Sequence, residues 1–271
     1  MEIAQTNLQL YNQLADTGYS TRAIQSVDKA YRCAVIMFTG QYRSTGKTFL
    51  AHLVGTASIL LSDNAPLHVV LSGLLHATFL HGEFGNGKRG VSLKRKKEVL
   101  KFVSPQVNDL IEEYARLPWK PDYLTENLWI VDKSSVLQRE VYWIRAANVL
   151  EDHIHFSAYY SQKFCKYNSN KKPHLEFVAE LAEAVNRFDL AQRIRIEQQK
   201  VPPSFIQELQ QTQTSSYTIA PKNYILNPYN HFYAHFSRAI KKAWIKLNFI
   251  FRQFSSNKLG ETNNSSISPK T

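Results

Sequence analysis

Two apolar helical segments, each carrying one histidine, constrain this chain more than any other feature. Phe49 to Leu61, FLAHLVGTASILL, reads as a helix with His52 in its first turn. Pro66 opens a second helix, at a place where the missing backbone amide costs nothing. That helix runs apolar through Val69, Val70, Leu71, Leu74 and Leu75 to His76. A polar loop bracketed by glycines, Gly40 to Lys47, leads into the pair, and a glycine-rich loop over 82–90, GEFGNGKRG, leads out of it.

The rest of the chain repeats the helical period. Residues 3–15 predict a helix with Leu8, Leu10, Tyr11 and Leu14 near one face, ended by Gly18. Ser20 offers an N-cap for a helix to about Thr39 with Ala23, Ile24, Val27, Tyr31, Ala34 and Phe38 at helical spacing. A basic helix is expected over 92–102, and Pro105 opens another that carries Val107, Leu110, Ile111 and Tyr114. The longest helical stretch spans 133–160, and one further amphipathic helix spans 174–198 through Phe177, Leu181, Val185, Phe188 and Leu190. No alternating strand pattern and no internal repeat stand out. The fold class is all-α: a helical bundle over 1–200, a linker over 201–230, a basic amphipathic helix over 231–255 and a disordered tail over 256–271.

Composition narrows the function classes. The 271 residues hold two cysteines, Cys33 and Cys165, far apart and without a Cys-x-x-Cys pair, which excludes a thiolate zinc site and argues for reduced thiols in a cytoplasmic protein. No basic segment followed by an apolar run marks the N-terminus as a secretory signal, and no apolar run reaches the length of a membrane span. The net charge is +11, and residues 201–271 carry eight Lys/Arg against two Asp/Glu, more than half of it. Such charge attracts phosphates, nucleic acid and anionic membranes alike. The 82–90 loop lacks the order of glycines and Lys-Ser/Thr that a phosphate-cradling loop needs.

The segment from Gly40 to His52, GQYRSTGKTFLAH, resembles the opening of the hydrolase region of RelA/SpoT-type alarmone hydrolases, a group of HD-domain metal phosphohydrolases. The similarity extends over roughly 18–158. It implies an HD-domain-like bundle and a site for a phosphorylated nucleotide. By that resemblance Arg43 and Thr45, with Lys47 beside them, match the nucleotide pocket, and His52 and His76 match two metal ligands.

Three departures stand against the family pattern. The aspartate that should follow the second histidine is Ala77; the assisting Glu-Asp pair is Leu80-His81; and the family's later A-D-R-L-x-N segment falls on Ala147 to Asp152, so its ligand aspartate is Asn148. Hard divalent cations favour anionic oxygen, so a metal such as manganese or iron would here have His52, His76, Asn148 and, one helical turn on, Asp152. His81 and Glu83 are the candidates for a catalytic role from the loop after His76.

Three functions stay open on these residues. The first is a nucleotide- or phosphoester-binding regulatory module with a degraded metal site. The second is an active metal-dependent phosphohydrolase with a remodelled shell. The third is a peripheral scaffold recruited through 231–254, where Phe232, Phe236, Ile240, Trp244, Leu247, Phe251 and Phe254 form a stripe flanked by lysines and arginines. That stripe fits an anionic membrane surface, a protein partner or packing on the domain. Nucleic acid is not an expected partner.

Overall fold

The computed structural model describes residues 2–85, 87–117, 131, 133–154, 174–200 and 216–219. The fold is all-α. Its helices are α1 (Asn7–Asp16), α2 (Thr21–Phe38), α3 (Phe49–Ser62), α4 (Leu67–Leu75), α5 (Thr78–His81), α6 (Leu93–Val99), α7 (Pro105–Arg116), α8 (Val136–His153), α9 (His174–Ala184) and α10 (Phe188–Gln199). Short hydroxyl side chains start most of them. Thr6, Ser20, Thr48, Ser92, Ser104 and Ser135 each accept a backbone N–H of the first turn, which satisfies donors the helix itself leaves open.

The apolar pair α3 and α4 forms the centre. Both are buried along nearly their whole length, with α1, α2, α7 and α8 packed around them and α9 and α10 against α8. Gly73 lets α4 come close to α3: a Cβ there would stand 2.3 Å from Leu60 Cδ1. The first helix is tied to α3 by a buried polar link. Ser58 Oγ donates to Gln13 Oε1 at 2.6 Å and accepts from the Ala4 N–H at 2.9 Å. Trp143 on α8 donates its indole N–H to Asp63 at 2.7 Å, and the Arg187 guanidinium lies 3.6 Å from the centre of its ring. These contacts fix α8 against the end of α3 and the start of α10.

Two expectations are corrected. The single helix over 174–198 is two helices, because Asn186 takes the left-handed conformation at φ 63° and the chain turns there. The N–H of Arg187 reaches back to Ala182 O at 2.8 Å, and that of Asn186 to Glu183 O, a helix ending that asparagine tolerates well. Phe188 therefore leaves the apolar stripe and is exposed. Strand structure also occurs. Gln41–Tyr42 (β1) pairs antiparallel with Tyr217–Thr218 (β2), inside the stretch read from sequence as linker. The helix expected over 231–255 and the tail after it lie outside the described residues, as does Cys165. No helix among the described residues is long and apolar enough to cross a membrane.

Candidate functional site

Four elements bring polar side chains to one buried spot. His52 comes from the first turn of α3, His76 from the C-terminal end of α4, Tyr114 from α7, and Asn148, Glu151 and Asp152 from one face of α8. The α8 residues share that face because they are three and four positions apart. The rings of His52 and His76 lie 5.3 Å apart, centre to centre, and His76 is 5.0 Å from the ring of Tyr114.

The protonation of each ring follows from its partners. Nδ1 of His76 is 2.7 Å from the Gly73 carbonyl, an acceptor only, so Nδ1 carries the hydrogen. Nε2 is then an acceptor, and it takes the Asn148 amide N–H at 3.0 Å. The same Nδ2 reaches the Tyr114 hydroxyl at 2.5 Å, while Asn148 Oδ1 is buried with no hydrogen-bond partner among the described residues. His52 repeats the pattern. Its Nδ1 donates to a carboxylate oxygen of Glu151, and its Nε2 accepts from the Arg43 guanidinium at 3.1 Å. Burial holds both imidazoles well below the usual histidine range, helped at His52 by Arg43 and at His76 by His52.

The loop before α3 supplies the cations. It closes on itself, with Arg43 N–H donating to Lys47 O at 2.7 Å and Gly46 N–H to Arg43 O at 3.0 Å, so Arg43 and Lys47 stand together at its base. Arg43 donates to both oxygens of Asp152, one at 2.6 Å, and Lys47 pairs with Glu151. Glu151 is fully buried, and burial pushes its carboxyl up to about 7 against the pull of Lys47. Gly55 makes room for it: a Cβ there would meet Glu151 Oε1 at 2.6 Å. Side-chain exposure rises from 0% at Glu151 to 16% at Lys47, 19% at Arg43 and 24% at Asp152, so the cluster opens on the Arg43–Asp152 side.

The ligand atoms of His52, Glu151 and Asp152 all lie within 4.8 Å of one another, and this buried group could hold a metal ion. In the arrangement observed, these three residues face Arg43 and Lys47, and the Nε2 of His76 faces Asn148. The side chains present fit a divalent cation by type, one imidazole and two carboxylates, and their hydrogen bonds serve internal cations instead.

Of the residues singled out in the sequence, His52, His76, Asn148, Arg43, Lys47 and Asp152 come together. Thr45 sits in the turn between Arg43 and Lys47, partly exposed. His81 is beside the cluster, its ring 5.4 Å from that of Phe49. Glu83 is exposed, and its backbone N–H donates to Met37 O at 3.0 Å. The central carboxylate, Glu151, is outside the expected metal set of His52, His76, Asn148 and Asp152 and enters the sequence reading only as one of the nearby groups that a rearranged site could use, while Tyr114 has no expected role. Glu151 lies three residues after Asn148 on a strongly buried helix, and that spacing was the one signal available for it. No known family pattern matches this chain, and no curated protein matches it.

Proposed function

We propose that the chain is a divergent HD-type helical module, related to RelA/SpoT-type hydrolases, that binds a nucleotide or other phosphoester in the cytoplasm and does not hydrolyse it. One observation carries this reading. His52, His76 and Asn148, from three separated segments, meet in one buried interior, and both imidazole Nε2 atoms face N–H donors. Metal-assisted hydrolysis needs those lone pairs to hold a cation that activates water. Here they serve hydrogen bonds.

The binding half rests on Arg43 and Lys47. A phosphate offers a guanidinium the same paired oxygens that Asp152 now offers, and Arg43 lies on the open side of the cluster. An arriving phosphoester would exchange for Asp152 and shift the loop, which is the behaviour of a sensor. The test is calorimetric titration of the full chain with guanosine tetraphosphate and with GTP, with products followed by anion-exchange chromatography. Saturable binding without product, lost in Arg43→Ala, is the expected result. Absence of binding to both nucleotides would sink the proposal.

A second reading is an active phosphohydrolase with a rebuilt metal shell. The grouping of His52, Glu151 and Asp152 favours it, and that mixed nitrogen–oxygen set suits manganese or iron. Turnover of guanosine tetraphosphate that disappears in His76→Ala would move the site to this reading.

A further inference from the structure

We infer that the Arg43–Lys47 turn is a tethered cation plug: its two side chains and a divalent cation exclude each other from the ligand set His52, Glu151 and Asp152, and residues 216–219 clamp the plug in place. The inference rests on the second reading for the identity of the competitor. It is tested without any phosphoester.

The plug sits on the same three residues that form the ligand set. Arg43 takes His52 Nε2 at 3.1 Å and both Asp152 oxygens, and Lys47 takes Glu151. Two cationic side chains neutralise two carboxylates, and one divalent cation would do the same, so the exchange preserves the charge of a poorly solvated site. Burying the two acids without either counter-charge would be strongly unfavourable. One group in the same interior is unsatisfied now. Asn148 is 4% exposed, its Oδ1 has no donor among the described residues, and its amide touches the His76 ring that packs on His52. A buried oxygen left unpaired carries the full cost of its lost hydration. A cation in the cluster is a partner of the kind it lacks.

The clamp is short. The Ile219 N–H donates to Gly40 O at 2.8 Å, and the rings of Tyr42 and Tyr217 stack at 5.4 Å. Gly40 holds φ 75°, and a Cβ there would stand 2.7 Å from Ile219 O, so the clasp depends on a residue without a side chain. A ladder of two residues is marginal by itself. It is a latch whose release frees the turn that carries both cations.

The experiment uses the full chain and Mn2+ alone, with free ion read from its electron paramagnetic resonance signal. Three variants are compared with the unaltered protein: Arg43→Gln with Lys47→Gln, the same pair with His52→Ala added, and Ile219→Pro, which removes the N–H that holds Gly40. The double variant and Ile219→Pro are expected to bind Mn2+ at least about tenfold more tightly than the unaltered chain, and His52→Ala to remove that gain. Equal Mn2+ affinity in the unaltered chain and both variants, with helical circular dichroism retained, would overturn the inference. Should the double variant fail to fold, Ile219→Pro decides, since it leaves every cluster residue in place. A failure of nucleotide binding leaves these outcomes unchanged, so the two proposals fail separately.

Discussion

The guanidinium of Arg43 stands 3.1 Å from Nε2 of His52 and donates to Asp152 at 2.6 Å, so one side chain joins the first turn of α3 to the last turn of α8. A charged group of the protein itself thus holds the two elements that a bound cation would otherwise join.

Hydrolysis of guanosine tetraphosphate in the presence of manganese is expected to stay at background. Ala77 and Asn148 stand where the resemblance places two acidic ligands, and both are buried. Restoring Ala77→Asp and Asn148→Asp together should raise Mn2+ affinity by about tenfold or more, measured by calorimetry. An unchanged affinity in a folded double variant would refute the proposed ancestry of the site.

Gly55→Ala should destabilise the protein by about 1–3 kcal/mol, since the new methyl would meet the Glu151 side chain at 2.6–2.9 Å in a fully buried place. Urea unfolding measures the loss. A midpoint equal to that of the unaltered chain would show that Glu151 can yield.

Glu151→Ala should cost more, about 3–5 kcal/mol, because it leaves Lys47 and the His52 Nδ1–H without their acceptor in the interior. Glu151→Gln keeps an acceptor oxygen and should cost less. Similar unfolding midpoints for the two variants would mean that neither the side chain's shape nor its acceptor oxygen matters, and that the charge alone does.

Stability should fall as the pH drops below 6.5. Burial lowers the pKa of His52 and His76, so the unfolded chain takes up protons there that the folded chain refuses. Glu151 acts in the opposite sense. Its folded pKa of about 7 lies above the ordinary 4.5, so between those values the folded chain holds the extra proton and loses stability as the pH rises. Between about 4.5 and 6.5 the two histidines outweigh the one glutamate, so the net effect is a loss of stability as the pH falls. His76→Gln removes one of the two and should flatten the curve. Parallel curves for the variant and the unaltered chain, by urea unfolding across about pH 5 to 8, would contradict this account.

Helix positions were legible because their causes are local. Ser20, Thr48 and Ser104 cap the helices they precede, and the stripe Val107, Leu110, Ile111 and Tyr114 is buried as its spacing required. The break at Asn186 was not legible, since a single asparagine in a helical pattern becomes a turn only when the packing of α9 and α10 on α8 rewards it. In the site, His52, His76 and Asn148 were singled out on three separated segments, and the fold brings their side chains together. The role of Glu151 did not, because a carboxylate reads as solvated until a missing side chain at Gly55 is known to face it. The pairing of β1 with β2 joins residues far apart along the chain, and two-residue strands leave no periodic trace.

Gly73 gives the two histidines their spacing. With no side chain it lets α4 lean against Leu60 of α3, and its carbonyl, three residues before His76, takes the hydrogen from that ring's Nδ1. The same residue is therefore both the ruler of the gap between the imidazoles and the key to the tautomer of one of them. Anything larger at position 73 would change the width of the site and the direction of its lone pair in a single step, without altering any residue of the site itself.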